Sequence, residues 1–140
     1  MLTVIDGMKP TMLERAIRAG SAPALKAISD RGTYVSDCVA AFPSVTPVCA
    51  GTIATGVLQE RHHIPSMNWY SRAEKRYVEY GSSFSASRKF GLTAQLVDTI
   101  FHMNADHLAA DVPTIFDIVD DAAVRTACSS YLIFRARHPH

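Results

Sequence analysis

The sequence predicts an α/β protein, with helices laid on the faces of a mostly parallel sheet. Three observations lead there. Apolar runs without polar alternation, such as Leu2 to Ile5, suit strands buried on both faces. Helix-period stretches opened by Pro and closed by Gly lie between those runs. The elements also alternate along the chain as strand, helices, strand, helix, hairpin, two helices and strand, which is the order of a layered α/β architecture.

Leu2 to Ile5 is the first expected strand, and Asp6-Gly7 closes it. An Asp there lies at the carboxyl edge of the sheet, where open α/β folds bind ligands; the plain alternative is an Asp-Gly turn. Lys9-Pro10 opens a helix to about Ala19, with Met12, Leu13, Ala16 and Ile17 on one face and Gly20 as its stop. Ala24 to about Arg31 is a second helix with Leu25 and Ile28 facing inward. Thr33 to Val39, rich in β-branched residues, reads as the second strand. Pro47 to Thr55 is a short helix of small residues, capped by Thr46 and ended by Gly56.

Residues 56–68 read as irregular. Asn68 to Tyr70 and Arg76 to Tyr80 form an edge hairpin around the polar turn Ser71–Lys75, with Trp69, Tyr70, Tyr77 and Tyr80 as packing residues. Gly81 to Arg88, rich in Ser, reads as a loop. Leu92 to about Met103 has helical spacing, and Pro113 to about Ala122 is the last helix. Val124 to Phe134 is expected to be a third buried strand. Adjacent His62 and His63 would point to opposite faces of a strand and have no spaced partner. His102 and His107 lie five apart across an expected helix end, so no ligand geometry follows from them.

The 140 residues suffice for one domain, and 48% apolar with 19% charged residues describes a globular chain. With 14 basic and 13 acidic residues, there is no electrostatic case for a nucleic-acid polymer or an anionic membrane. No apolar run approaches the roughly 20 residues of a membrane span. Cys38, Cys49 and Cys128 are scattered and odd in number, and no signal-peptide pattern is visible, so a cytoplasmic location is favoured.

Thr46-Pro47 puts a hydroxyl at the positive end of a helix, where N–H groups and the helix dipole favour a phosphate. Together with VIDG at 4–7, FPSVTP at 42–47, TIATG at 52–56, ERHHI at 60–64 with Asn68 following, and VPTIFDIVDDAAVRTA at 112–127, it resembles the alkaline phosphatase superfamily. More narrowly it is similar to the type I phosphodiesterase / nucleotide pyrophosphatase group. The resemblance implies an alkaline-phosphatase-like fold and hydrolysis of phosphate esters at two zinc ions. Asp6 would be a metal ligand. Thr46 would be a metal-bound nucleophile that forms a phospho-threonine. The substrate would be a phosphate ester or a nucleotide-like small molecule.

Two departures matter. Many relatives carry an Asn three residues after the nucleophile, at the phosphate; here Cys49 takes that substrate-facing position, and a thiol is a weaker donor. The further Asp and His ligands that the resemblance implies do not follow within this sequence. Residues 1–140 are therefore expected to be the N-terminal part of one catalytic domain, supplying only part of one zinc site, with a sheet incomplete on its C-terminal side and no activity alone. Phosphomonoester or phosphonate hydrolysis remains open within the enzyme class. The alternative from another class is a non-catalytic remnant or interaction module. The modified Cys or Ser motif of a sulfatase is not found.

Overall fold

The computed structural model describes residues 1–129 and 131–136. Contacts divide the chain into two compact units, Met1–Val39 and Ala40–His140. The first holds α1 (Pro10–Arg18) and α2 (Pro23–Arg31), both opened by Pro, whose missing N–H costs nothing at a helix start. On α1, Leu13, Ala16 and Ile17 are half-buried, while Met12 is exposed. On α2, Leu25 is half-buried, but Ile28 faces solvent rather than inward. No residue of this unit is fully buried, as expected for so short a stretch of chain.

Residues 2–5 and 33–39 are not strands, and Leu2, Val4, Ile5, Val35 and Val39 are exposed. A strand exists only when a neighbour takes its N–H and C=O groups, and β-propensity supplies no neighbour. Among the described residues the parallel sheet is therefore absent, and the strands that do form are antiparallel.

The second unit opens with α3 (Thr46–Thr55). Gly56 ends it at φ +72°, the left-handed conformation that only Gly adopts without penalty. One helical turn, α4 (Gln59–His62), lies inside the stretch expected to be irregular. The hairpin pairs β1 (Asn68–Ser71) with β2 (Arg76–Glu79), Trp69 opposite Val78 and Tyr70 opposite Tyr77. α5 (Phe84–Phe90) replaces the expected Ser-rich loop, because Ser83 caps it by accepting the Ala86 N–H. α6 (Leu92–Val97) runs directly into a π-helix over Asp98–His107. α7 (Ile115–Asp121) starts on a complete capping box, in which Thr114 and Asp117 satisfy each other's backbone N–H groups.

Ala50, Ala54, Ile64, Val78, Tyr80, Met103, Leu108 and Ile133 form the core of this unit. Ile133 is buried as the sequence predicts, yet the described part of 124–134 is not a strand, and Ser130 lies outside the described residues. Side chains hold this segment instead of a sheet. Asn104 donates to the Leu132 carbonyl at 2.9 Å and accepts the Phe134 and Arg135 N–H groups at 2.8 and 3.1 Å. Tyr131 donates to the Ala50 carbonyl at 3.0 Å, and Arg135 donates to the Leu108, Ala109 and Val112 carbonyls.

α3 needs a glycine at one internal position. A Cβ on Gly51 would stand 2.9 Å from Cε1 of the buried His62 ring, which is fixed by two hydrogen bonds. Gly51→Ala would gain up to about 1 kcal/mol of helix propensity but is expected to lose about 1–3 kcal/mol to overpacking. A lower urea midpoint at unchanged slope is the expected result, and a raised midpoint would mean the ring has room to move.

Candidate functional site

Thr46 and Cys49 lie in the first turns of α3, in the second unit, and Asp6 lies in the first unit. Thr46 is not the cap expected from sequence. Val45 holds that place, at φ −116° and ψ 150°, and Thr46 is the first helical residue. A threonine hydroxyl caps only from the extended cap position, and Val45 has that conformation. Thr46 is exposed, whereas Pro47 and Val48 behind it are buried. The first intrahelical bond is Cys49 N–H to the Val45 carbonyl, at 3.0 Å. The N–H groups of Thr46 and Val48 precede it, so they belong to the donor-rich end of the helix dipole. Cys49 is half-buried. Asp6 is exposed in a turn with Gly7, which sits at φ +71°; it does not close a strand, because residues 2–5 do not form one.

His62 is a core histidine. It is fully buried, its Nδ1 accepts the Ile64 N–H at 3.2 Å, and its Nε2 therefore donates to Thr52 Oγ1 at 3.3 Å. Burial holds its pKa below the ordinary histidine value. His63, in the left-handed conformation at φ +67°, is exposed.

A polar cluster joins the hairpin turn to the π-helix. His107 donates from Nε2 to Glu74 at 2.9 Å, and its Nδ1 accepts from the Tyr80 hydroxyl at 2.5 Å. Burial lowers the His107 pKa despite the carboxylates of Glu74 and Asp98, which work the other way. Burial also raises the pKa of Tyr80. For Glu74, burial would raise the pKa, but bonds from Ser71 and Arg76 and the nearby His107 bring it below the usual carboxylate value. His102 meets Asp106 at 2.5 Å and stacks on His107 with ring centroids 5.9 Å apart.

Sequence reasoning missed this cluster for a definite reason. On an α-helix, residues five apart point to nearly opposite sides. A π-helix closes its bonds from i to i+5, so His102 and His107 share a face with Asp98 and Asp106. Acidic and imidazole residues recurring at four- and five-residue intervals through 98–107 were the available signal.

The residues can be tested against the two zinc ions of the resemblance. Each ion needs three or four ligands of Cys, His, Asp or Glu type, with water making up the rest. Among the described residues no group of three or more such side chains could hold a metal ion. The described residues therefore do not fit a two-zinc centre. No helix among them is long and apolar enough to cross a membrane.

The sequence model of the type I phosphodiesterase / nucleotide pyrophosphatase family matches residues 1–132. No curated protein and no solved structure matches the chain.

Proposed function

The chain belongs to the type I phosphodiesterase / nucleotide pyrophosphatase family, and from that premise we propose that Thr46 is the nucleophile of a phosphoester hydrolase. The observation that carries this reading is an exposed threonine as the first residue of a ten-residue helix, within the family's matched region. Attack forms the Oγ1–phosphorus bond as the bond to the leaving alcohol or phosphate oxygen breaks, and the hydroxyl proton leaves with the departing group. Water then cleaves the phospho-threonine and restores the hydroxyl. The N–H groups at the start of α3 favour the charge on the phosphoryl oxygens.

Asp6 and Thr46 are each proposed as metal ligands, and Cys49 as a neighbour of the phosphate. A threonine hydroxyl is weak at neutral pH and needs activation. The substrate is proposed to be a phosphate ester or nucleotide-like small molecule, with residues 1–140 forming the N-terminal part of the catalytic domain and inactive alone.

The test is the native gene product carrying this sequence, assayed with bis(p-nitrophenyl) phosphate and supplied zinc. Thr46→Ala is expected to lower p-nitrophenol release at least about a thousandfold. Acid-quenched wild-type protein should carry a phosphoryl group on the peptide containing Thr46. Wild-type rates in the variant would overturn the assignment.

A further inference from the structure

We propose that the outer edge of β1 pairs, antiparallel, with the same edge of a second copy of this chain, so that two hairpins make one four-stranded sheet. The surface lies in the second unit and uses no residue of α3. The inference therefore stands apart from the role assigned to Thr46.

The hydrogen-bond alternation shows which backbone groups face outward. The Tyr80 N–H donates to the Met67 carbonyl at 2.9 Å, one step beyond the paired strands. Bonded and non-bonded pairs alternate along an antiparallel ladder. The ladder bonds therefore fall at Trp69 opposite Val78 and Ser71 opposite Arg76, and Asn68, Tyr70, Tyr77 and Glu79 turn their backbone groups away from the partner strand. On β2 side chains hold that edge. Asp98 accepts the Glu79 N–H, and Arg76 donates to the Tyr77 carbonyl, each at 3.3 Å. On β1 no described residue meets the N–H or the carbonyl of Asn68 or Tyr70.

An open edge is a template for another extended backbone, and native edges deter it with Lys, Pro or a bulge. β1 reads Asn-Trp-Tyr-Ser and pairs in unbroken register, so it carries none of these. Its own copy suits the edge on three counts. The strand is uncharged and the chain has a net charge of only +1, so two copies meet with little repulsion. With Trp69 opposite Trp69 of the copy, Asn68 lies opposite Tyr70 in both directions, and every outward N–H and carbonyl of the two strands finds its counterpart. That register sets Arg72 against Ser66, so the two guanidinium groups do not face each other. The exposed face also continues across the edge. Tyr70 meets Tyr77 with ring centroids 5.4 Å apart, and Tyr77 meets Phe90 at 5.8 Å. Tyr70, 52% exposed, ends this row at the open side. In the joined sheet the two Tyr70 rings become diagonal neighbours, within reach of one another.

The test uses the native gene product carrying this sequence. Sedimentation over a concentration series should show the weight-average mass reach two chain masses. Amide hydrogen exchange at Asn68 and Tyr70 should slow as the dimer fills. Asn68→Lys/Tyr70→Lys should weaken association at least about tenfold, because like charges then stand opposite each other in both pairs. Asn68→Glu/Tyr70→Glu should do the same, and mixing the two variants should restore a dimer, which also shows that both remain folded. A mass that stays at one chain, a dimer whose Asn68 and Tyr70 amides exchange as in the monomer, or wild-type association of the lysine variant would overturn the proposal. Slowing of those two amides only by an added unrelated extended peptide would overturn it too, since the edge would then serve a different partner.

Discussion

Arg76→Met is expected to destabilise the second unit by about 3 kcal/mol. Arg76 bonds Asp98 through both guanidinium nitrogens, at 2.9 and 2.8 Å. The Asp98 side chain is 4% exposed and that of Arg76 is 37% exposed. Burial alone would raise the Asp98 pKa, yet the Arg76 bond and the Glu79 N–H bring it below the ordinary value. Removing the cation leaves a buried carboxylate whose remaining hydrogen-bond partner among the described residues is that single N–H. The cost lies at the lower end for a broken buried pair, because water screens the outer side of Arg76. The double variant Arg76→Met/Asp98→Leu should recover part of the loss, since the buried Asp98 charge is then gone and Glu74, which also pairs with Arg76, keeps its bond to His107. Urea unfolding measures both. A loss below about 1 kcal/mol in the single variant would show that water already reaches Asp98.

Acid is expected to weaken the same unit well above the pH at which carboxylates titrate. His62 and His107 are buried, and burial lowers both pKa values. In the unfolded chain each takes up a proton near pH 6.5, while the folded form resists it. Their stabilising contribution is thus complete above pH 6.5 and falls as pH drops from there towards the folded values. The slope approaches about 1.4 kcal/mol per pH unit for each histidine. Glu74 and Asp98 have lowered pKa values, so their share persists through that window and is lost only below about pH 4. Urea unfolding at a series of pH values should show the slope, and His107→Gln should halve it. A flat profile between pH 6.5 and 5 would contradict the neutral, buried state of both rings.

Local chemistry was legible in the sequence, and non-local chemistry was not. The hairpin around Ser71–Lys75 and the helix from Thr46 to Gly56 are written in turn residues, Pro and Gly, each acting over a few positions. Residues 2–5 and 33–39 have the composition of strands but lack partners, and composition cannot supply a partner. The segment 98–107 follows an i+5 closure that a 3.6-residue period cannot anticipate. Of the candidate site, Thr46 and Cys49 are together on α3 because their proximity is local. The cluster of Glu74, Tyr80 and His107 spans 33 residues of chain, and only folding brings it together.

The side-chain ties on residues 131–135 also set a clock. Tyr131 bonds a carbonyl 81 residues earlier, and Ile133 completes a core that includes Ala50 and Ile64. At about 5–20 residues per second, translation takes about 4–16 s to travel from Ala50 to Tyr131. Until then Ala50, Ala54 and, once made, Val78 exist without the group that seals them. The nascent second unit therefore spends seconds with an open apolar seam, which makes its newborn form, rather than its finished one, the natural client of a chaperone.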